Sequence, residues 1–251
     1  MDPIFSPIRD RARSIVSLYS PPQFYKNCAR ACAQSRDLFE TDPIIIRLRK
    51  FVSKKLDDDF GHGIDHAIKV TLDAGALMII ESKGSGAIKE TVTRYAVMAQ
   101  CAGLLHDIKR KSKNHAHLGA EYAQEILQEY PLTNAEIDNI GHAIRTHEAF
   151  KPLTGKGSPE GGLLSACLYD ADKFRWGPDN FTDTVWSMIT FSGMSLSEFI
   201  RLYPDGMKKL EKIKTTFRTP TGKKFGPEFI DIGLTVGREL WNFIQTDIKK
   251  Q

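Results

Sequence analysis

The stretch that decides the fold is CAGLLHDIKRK, residues Cys101–Lys111. An apolar run, Ala102–Leu105, ends abruptly in His106 and Asp107, and basic residues follow at once. Adjacent helical side chains point about 100° apart, because an α-helix has about 3.6 residues per turn. At the end of a helix, both side chains can still reach one ion that lies beyond the last turn. An imidazole nitrogen and a carboxylate oxygen are ligands that suit Zn, Mn, Fe or Co, so the pair indicates a metal site.

The histidines of the chain are concentrated around this pair. All seven lie between His62 and His147, and each falls on or beside a predicted helix of this region. A single histidine is more often a surface or core residue than a ligand. Their concentration beside a His-Asp pair nevertheless favours a metal site. We interpret His117 and His142 as surface residues or as partners of the ligands.

Hydrophobic periodicity predicts an all-α fold. Apolar residues at helical spacing, for example at 64, 68, 72, 76 and 79, predict a series of helices. Their ranges are 43–56, 64–80, 87–108, 117–130, 133–150, 161–174 and 228–245, with shorter helices before residue 43. Thr133, followed three residues later by Glu136, forms a capping-box pattern at the start of one of them. No segment alternates with period two over a useful length, so no sheet is predicted.

We expect one domain built from three segments. Residues 1–56 form an N-terminal helical extension, 57–190 form the metal-binding core, and 191–251 form a C-terminal helical extension packed on the core. The proline- and glycine-containing stretch FRTPTGKKFGPE, residues 217–228, predicts an exposed turn in the last segment.

Composition excludes several classes of protein. The 251 residues are 41% hydrophobic and 26% charged, as in ordinary globular proteins. No apolar run approaches about 18 residues, and the N-terminus does not have the pattern of a signal peptide, so we expect no membrane span. Four cysteines without a paired motif predict reduced thiols and a cytoplasmic location. The net charge of +4 mildly favours anionic ligands, but it is too small to predict nucleic-acid binding.

Three short motifs point to a known family. HGIDHAIKV (62–70), AGLLHDIKR (102–110) and LYDADKF (168–174) occur in this order. In order and spacing they resemble the His, His-Asp and Asp motifs of the HD-domain superfamily of metal-dependent phosphohydrolases. Each motif is weak alone, whereas the ordered set is specific; it covers residues 60–175. The resemblance implies an HD-domain helical bundle and a divalent ion (Mn, Fe, Co, Zn or Mg) held by four ligands: His66, His106, Asp107 and Asp172.

The last of these ligands has a rival. Asp170 and Asp172 are two residues apart on one predicted helix, so their side chains point nearly opposite ways and only one should face the metal. Apolar periodicity slightly favours Asp170 as the inward residue. The family motif favours Asp172, and we follow the motif.

A second ion is also implied. HAHLGAEYA and IRTHEAF resemble the family elements that place His115 and His147 as ligands of a second metal in the dinuclear branch. In the mononuclear branch these positions are often replaced or serve the substrate, so His147 is also a candidate for substrate binding. The loop between Asp107 and His115 is shorter than the dinuclear branch usually has. One ion and two ions therefore both remain open.

Catalytic and substrate-binding roles follow from the resemblance. Asp107 would both ligate the ion and orient the attacking water, and His62 or Asp65 would act as a proton donor or as a partner of the first ligand. Asp65 is equally a candidate cap of its helix. Besides His147, the predicted substrate-binding residues are three basic residues that lie just after the ligands: Lys109, Arg110 and Lys173.

The implied activity is hydrolysis of a phosphoester or phosphoanhydride by a metal-activated water. The expected substrate is a nucleotide or another small phosphorylated metabolite. Two alternatives stay open: a dinuclear-iron oxygenase of the HD type, and a catalytically silent nucleotide-binding module. No membrane or nucleic-acid partner is expected, and a homodimer remains open.

Overall fold

The computed structural model describes residues 3–57, 63–151 and 157–248. Within these ranges the chain forms twelve α-helices and no β-strand, which confirms the predicted all-α class. The helices are α1 Ser6–Val16, α2 Gln23–Asn27, α3 Ala29–Thr41, α4 Pro43–Asp57, α5 Gly63–Gly84, α6 Lys89–Leu105, α7 His115–Leu127, α8 Asn134–Arg145, α9 Pro159–Phe174, α10 Val185–Ser192, α11 Leu196–Ile213 and α12 Pro220–Phe243. None of the helices in the described ranges combines the length and apolar character needed to cross a bilayer.

The chain divides into two compact units. The larger unit contains Phe24–Asp172 and the short segment Phe217–Lys224. The smaller unit contains Met1–Gln23, Lys173–Thr216 and Phe225–Gln251. Helices α9 and α12 each contribute to both units. The sequence-based boundaries at 56 and 190 stay a prediction.

Packing in the larger unit is centred on α5 and α6. These two helices pack along each other, α3 packs on α5, α4 packs on α6, and α7 pairs with α8. The α5–α6 crossing is close at Gly103, where an added Cβ would lie 2.6 Å from the Cα of Thr71. Only a residue without a side chain allows this approach. It brings the end of α6 beside the first turns of α5.

The smaller unit is held by aromatic packing. Phe5 contacts Phe199 edge-on with ring centroids 5.7 Å apart, and Tyr203 stacks on Trp241 at 5.0 Å. The hydroxyl of Tyr203 donates a hydrogen bond of 2.8 Å to the carbonyl oxygen of Gly237, so this buried polar group is satisfied.

Local signals in the sequence predict two helix ends well. The capping box at the start of α8 is present: the Thr133 side chain accepts from the Glu136 backbone, and the Glu136 side chain accepts from the Thr133 backbone. Helix α6 ends at Leu105, two residues before the predicted end near Asp107. Successive i to i+3 bonds then carry the chain onward, beginning with Ile108 N–H to the Leu105 carbonyl at 3.1 Å.

The predicted exposed turn at 217–228 is wrong. Helix α12 begins at Pro220, and Phe217 and Thr219 are buried. Proline is favoured at the first position of a helix, where its missing N–H is not needed, so the proline that suggested a turn starts a helix instead. The backbone N–H groups of Arg218 and Thr219, just before this proline, bind a carboxylate of α9.

Candidate metal centre

Five helices and the turns beside them carry the predicted ligands. His66 lies in the first turns of α5, and His106 and Asp107 follow directly on α6. His115 begins α7, His147 follows the end of α8, and Asp172 lies near the end of α9. The structure brings all six of these side chains together.

A first group of ligand atoms surrounds His106. Its Nε2 lies 3.2 Å from Nε2 of His66, 3.6 Å from Oδ2 of Asp107 and 3.9 Å from Oδ1 of Asp172. The same Asp172 oxygen lies 3.3 Å from Nε2 of His66. His66, His106 and Asp107 meet the geometric requirement for a three-ligand metal site. We call these residues, together with Asp172, the first group.

A second group shares Asp107 with the first. Its Oδ1 lies 3.6 Å from Nε2 of His115 and 3.6 Å from Nε2 of His147. Asp107, His115 and His147 form another set of three that could hold a metal ion. One carboxylate thus belongs to both groups, with Oδ2 facing the first and Oδ1 facing the second.

The separations between these atoms fit metal coordination. Bonds of about 2.1 Å at angles of 90–110° place neighbouring ligand atoms about 3.0–3.4 Å apart. The separations from Nε2 of His106 run from 3.2 Å to 3.9 Å, which is close to this range. Imidazole nitrogens and carboxylate oxygens suit Mn, Fe, Co or Zn. The residues present therefore fit a divalent ion.

Backbone carbonyls orient two of the histidines. Nδ1 of His106 lies 2.8 Å from the carbonyl oxygen of Gly103, and Nδ1 of His147 lies 2.6 Å from that of Ile144. A carbonyl oxygen only accepts, so each Nδ1 must carry the proton and donate it. Each Nε2 is then left with its lone pair, the form that binds metal. Both lone pairs are on the side of Asp107.

Burial favours the neutral form of His106 and His115. Desolvation lowers the pKa of His106 to about 4, against the opposing charges of Asp107 and Asp172. Burial also lowers the pKa of His115. For Asp107, burial acts to raise the pKa, but His106, Arg110 and His147 outweigh it and hold the pKa well below its usual value. Neutral imidazoles and an ionised carboxylate are the protonation states that metal binding requires.

The low pKa of His106 predicts how the metal-free protein responds to acid. The unfolded chain binds a proton near the ordinary pKa of 6.5, whereas the folded chain binds it only near pH 4, so stability falls as the pH drops through this window. At about 1.4 kcal/mol per pKa unit, the loss amounts to about 3 kcal/mol. In chelator-treated protein, the difference in unfolding free energy between wild type and His106→Gln should shrink by about this amount between pH 7 and pH 4. A difference that is the same at both pH values would contradict the prediction.

Asp170 lies apart from the ligands. It is fully buried, and its Oδ1 accepts from the backbone N–H of Arg218 at 2.8 Å. Its Oδ2 accepts from the backbone N–H and the hydroxyl of Thr219, at 2.8 and 2.7 Å. Burial raises the pKa of Asp170 to about 6, although these donors act in the opposite direction. Asp172, two residues on, is the carboxylate that lies beside His66.

The remaining predicted catalytic residues are Asp65 and His62. Asp65 is exposed in the first turn of α5, where its negative charge interacts favourably with the positive end of the helix dipole. His62 lies outside the described residues. Among the residues predicted as surface positions, His117 is exposed and pairs with Glu121 at 3.2 Å. His142 is half-buried, and burial lowers its pKa.

The predicted substrate-binding cations differ in where they lie. Arg110 is half-exposed, and its Nη1 binds Oδ2 of Asp107 at 2.6 Å. The ammonium of Lys109 lies over the ring of Tyr122, 3.8 Å from the centroid. Lys173 is buried in the smaller unit, with its ammonium 5.7 Å from the ring centroid of Trp176. Arg110 is thus a cation that contacts a predicted ligand.

Sequence reasoning missed the residues around Thr146, which immediately precedes His147. The guanidinium of Arg218 donates from Nη1 and Nη2 to the Thr146 carbonyl, both at 3.1 Å. The Thr146 hydroxyl lies 2.7 Å from that of Ser165 on α9. Arg218 is distant in sequence and follows no family motif, so no local signal pointed to it.

The chain was compared with solved structures and with known protein families. The chain is similar to a crystal structure described as a predicted HD superfamily hydrolase, from an uncultured Thermotogales bacterium. The sequence identity is 20%, the match covers 86% of this chain and 95% of that chain, and the TM-score is 0.44. No family model and no curated protein matches the chain. The assignment of the site therefore rests on its motifs and on its own geometry.

Proposed function

We propose that this chain is an HD-type phosphohydrolase that uses a divalent metal ion. The observation that carries the proposal is the convergence of four side chains, in which ligand atoms of His66, Asp107 and Asp172 lie 3.2–3.9 Å from Nε2 of His106. A mixed histidine–carboxylate set leaves coordination positions for water and substrate, as catalytic sites require. The proposed substrate is a nucleotide or another small phosphorylated metabolite.

The proposed roles follow from the positions of the side chains. A bound divalent ion would supply a water of lowered pKa and would polarise a phosphoryl oxygen. Asp107 would accept a hydrogen bond from the attacking water and orient it. Arg110, which is half-exposed beside Asp107, would neutralise the charge of the phosphoryl group and hold its oxygens with paired N–H donors.

The second group supports a competing proposal. Asp107, His115 and His147 give the site enough ligands for two ions that share one carboxylate. A dinuclear-iron oxygenase of the HD type would need such a pair. A catalytically silent nucleotide-binding module is a weaker alternative, because it has no need of six converging ligands.

Elemental analysis of the purified protein tests these proposals. We expect one or two Mn, Fe, Co or Zn atoms per chain, together with metal-dependent release of phosphate or pyrophosphate from a panel of nucleotides. Two irons per chain with oxygen consumption and no phosphate release would favour the oxygenase. A chain that binds no metal after anaerobic incubation with excess Mn or Fe would overturn both proposals.

A further inference from the structure

The segment Phe217–Lys224 joins three helices of the larger unit, although it follows Asp172 by more than forty residues of chain. Backbone N–H groups of Arg218 and Thr219 bind Asp170 on α9. The N–H of Thr221 donates to Oε1 of Glu81 on α5, at 2.9 Å. An added Cβ at Gly222 would collide with the Asp170 carboxylate, so the segment lies tightly against α9. We call this segment the clamp.

The side chain of Arg218 extends from the clamp to the end of α8. Both terminal nitrogens donate to the carbonyl oxygen of Thr146, and Nη1 also lies 3.3 Å from Oγ of Ser165. The guanidinium stacks on the ring of Tyr169, 3.6 Å from its centroid. A planar fork held on one face by an aromatic ring and at its edge by two acceptors has little freedom to move.

The Thr146 carbonyl belongs to the peptide bond that joins Thr146 to His147. That peptide lies where α8 ends, with Thr146 as its C-cap, so the helix no longer holds it in a regular ladder. Donors that bind the carbonyl also set the plane of the peptide and the direction in which the next side chain leaves the backbone. The next side chain is His147, whose Nε2 lies 3.6 Å from Oδ1 of Asp107.

We propose that Arg218 is a positioning residue for the second metal site, holding His147 through the Thr146 carbonyl. The inference rests on the proposed function, since it requires the site to bind metal. The guanidinium of Arg218 contacts Thr146, Ser165 and Tyr169 rather than a ligand, so its effect should reach the site through His147 and fall on the second ion. Loss of a residue that orients a metal ligand typically weakens metal binding about 10–100-fold.

The test is calorimetric titration of Mn²⁺ into chelator-treated full-length protein. Wild type should bind two ions. Arg218→Met, which keeps the length and apolar stem, should weaken one of them about 10–100-fold and leave the other unchanged. Arg218→Lys should bind the affected ion with an affinity between those of wild type and Arg218→Met. Lysine keeps the charge and one donor nitrogen but loses the planar fork.

The chain offers a matched control in Arg47. Its guanidinium also lies over an aromatic ring, that of Tyr130 at 4.4 Å, and donates to a main-chain carbonyl, that of Glu129 at 2.8 Å. It is not in contact with the ligand groups. Arg47→Met should therefore leave both Mn²⁺ affinities unchanged, which separates a positional effect from a general loss of stability.

A double-mutant cycle assigns the affected ion. His115→Ala removes a ligand of the second group alone, so in that background Arg218→Met should have no further effect on the ion that remains. Arg218→Met protein that binds both ions as wild type does would overturn the inference and leave the proposed function standing. Wild type that binds a single ion would also overturn it, and wild type that binds none would overturn both. If Arg218→Met does not fold, Arg218→Lys decides the question by the same comparison.

Discussion

Replacing Asp107 by alanine should abolish both metal binding and turnover while the helical circular dichroism spectrum stays largely unchanged. Asp107 provides one oxygen to each ligand group, so the substitution removes a ligand from both at once. It also removes the carboxylate proposed to orient the water. Loss of a single stabilising group in an active site already costs about 10²–10³-fold in rate, and we expect at least the upper value here.

The measurements are metal content by elemental analysis and phosphate release from the best substrate of the nucleotide panel. Asp138→Asn is the control, because Asp138 is an exposed carboxylate of α8 that pairs with Gln124 rather than with a ligand. It should keep wild-type metal content and rate. An active Asp107→Ala protein would refute the assignment of the site.

Alanine substitutions of the two carboxylates of α9, Asp170 and Asp172, should have different effects. Asp170→Ala should destabilise the metal-free protein by about 3–5 kcal/mol, because it leaves three donors of Arg218 and Thr219 buried without an acceptor. In a chain of this size, that corresponds to a fall of about 10 °C in melting temperature. Asp172→Ala should instead lose metal binding, with a much smaller change in metal-free stability.

Thermal unfolding in chelator and metal content at saturating Mn²⁺ give the two readouts. Each variant is the control for the other, because both remove a carboxylate from the same helix. The opposite pattern, with Asp170→Ala stable but metal-free and Asp172→Ala unstable but metal-loaded, would make Asp170 the ligand. It would also reverse the interpretation of the α9 geometry.

Much of the fold could be predicted because its signals are local. Apolar spacing predicts a helix over 43–56, and α4 covers Pro43–Asp57. The capping box of Thr133 and Glu136 was predicted from two residues three positions apart. Such features depend on contacts within one turn of helix, so the residues that decide them are neighbours in the sequence.

The candidate site could be predicted in its list of residues but not in its arrangement. The motifs named six ligands, and the structure brings these six side chains together. The division of Asp107 between two groups was not predictable, because it depends on which oxygen faces which helix. The contact of Arg110 with Asp107 was not predictable either, because the sequence shows only several cations in a row.

By itself, the sequence determined that the chain is helical, where most helices run and which residue types could bind a metal. Only the tertiary structure places Asp172 beside His66 and Asp170 against the clamp. Both lie on the same helix and both are buried, so the apolar periodicity that slightly favours Asp170 does not distinguish them. What buries Asp170 is the clamp, whose first donor lies 48 residues away at Arg218. A contact across that distance leaves no trace in local spacing, because a carboxylate is buried by whatever donors the folded chain brings to it.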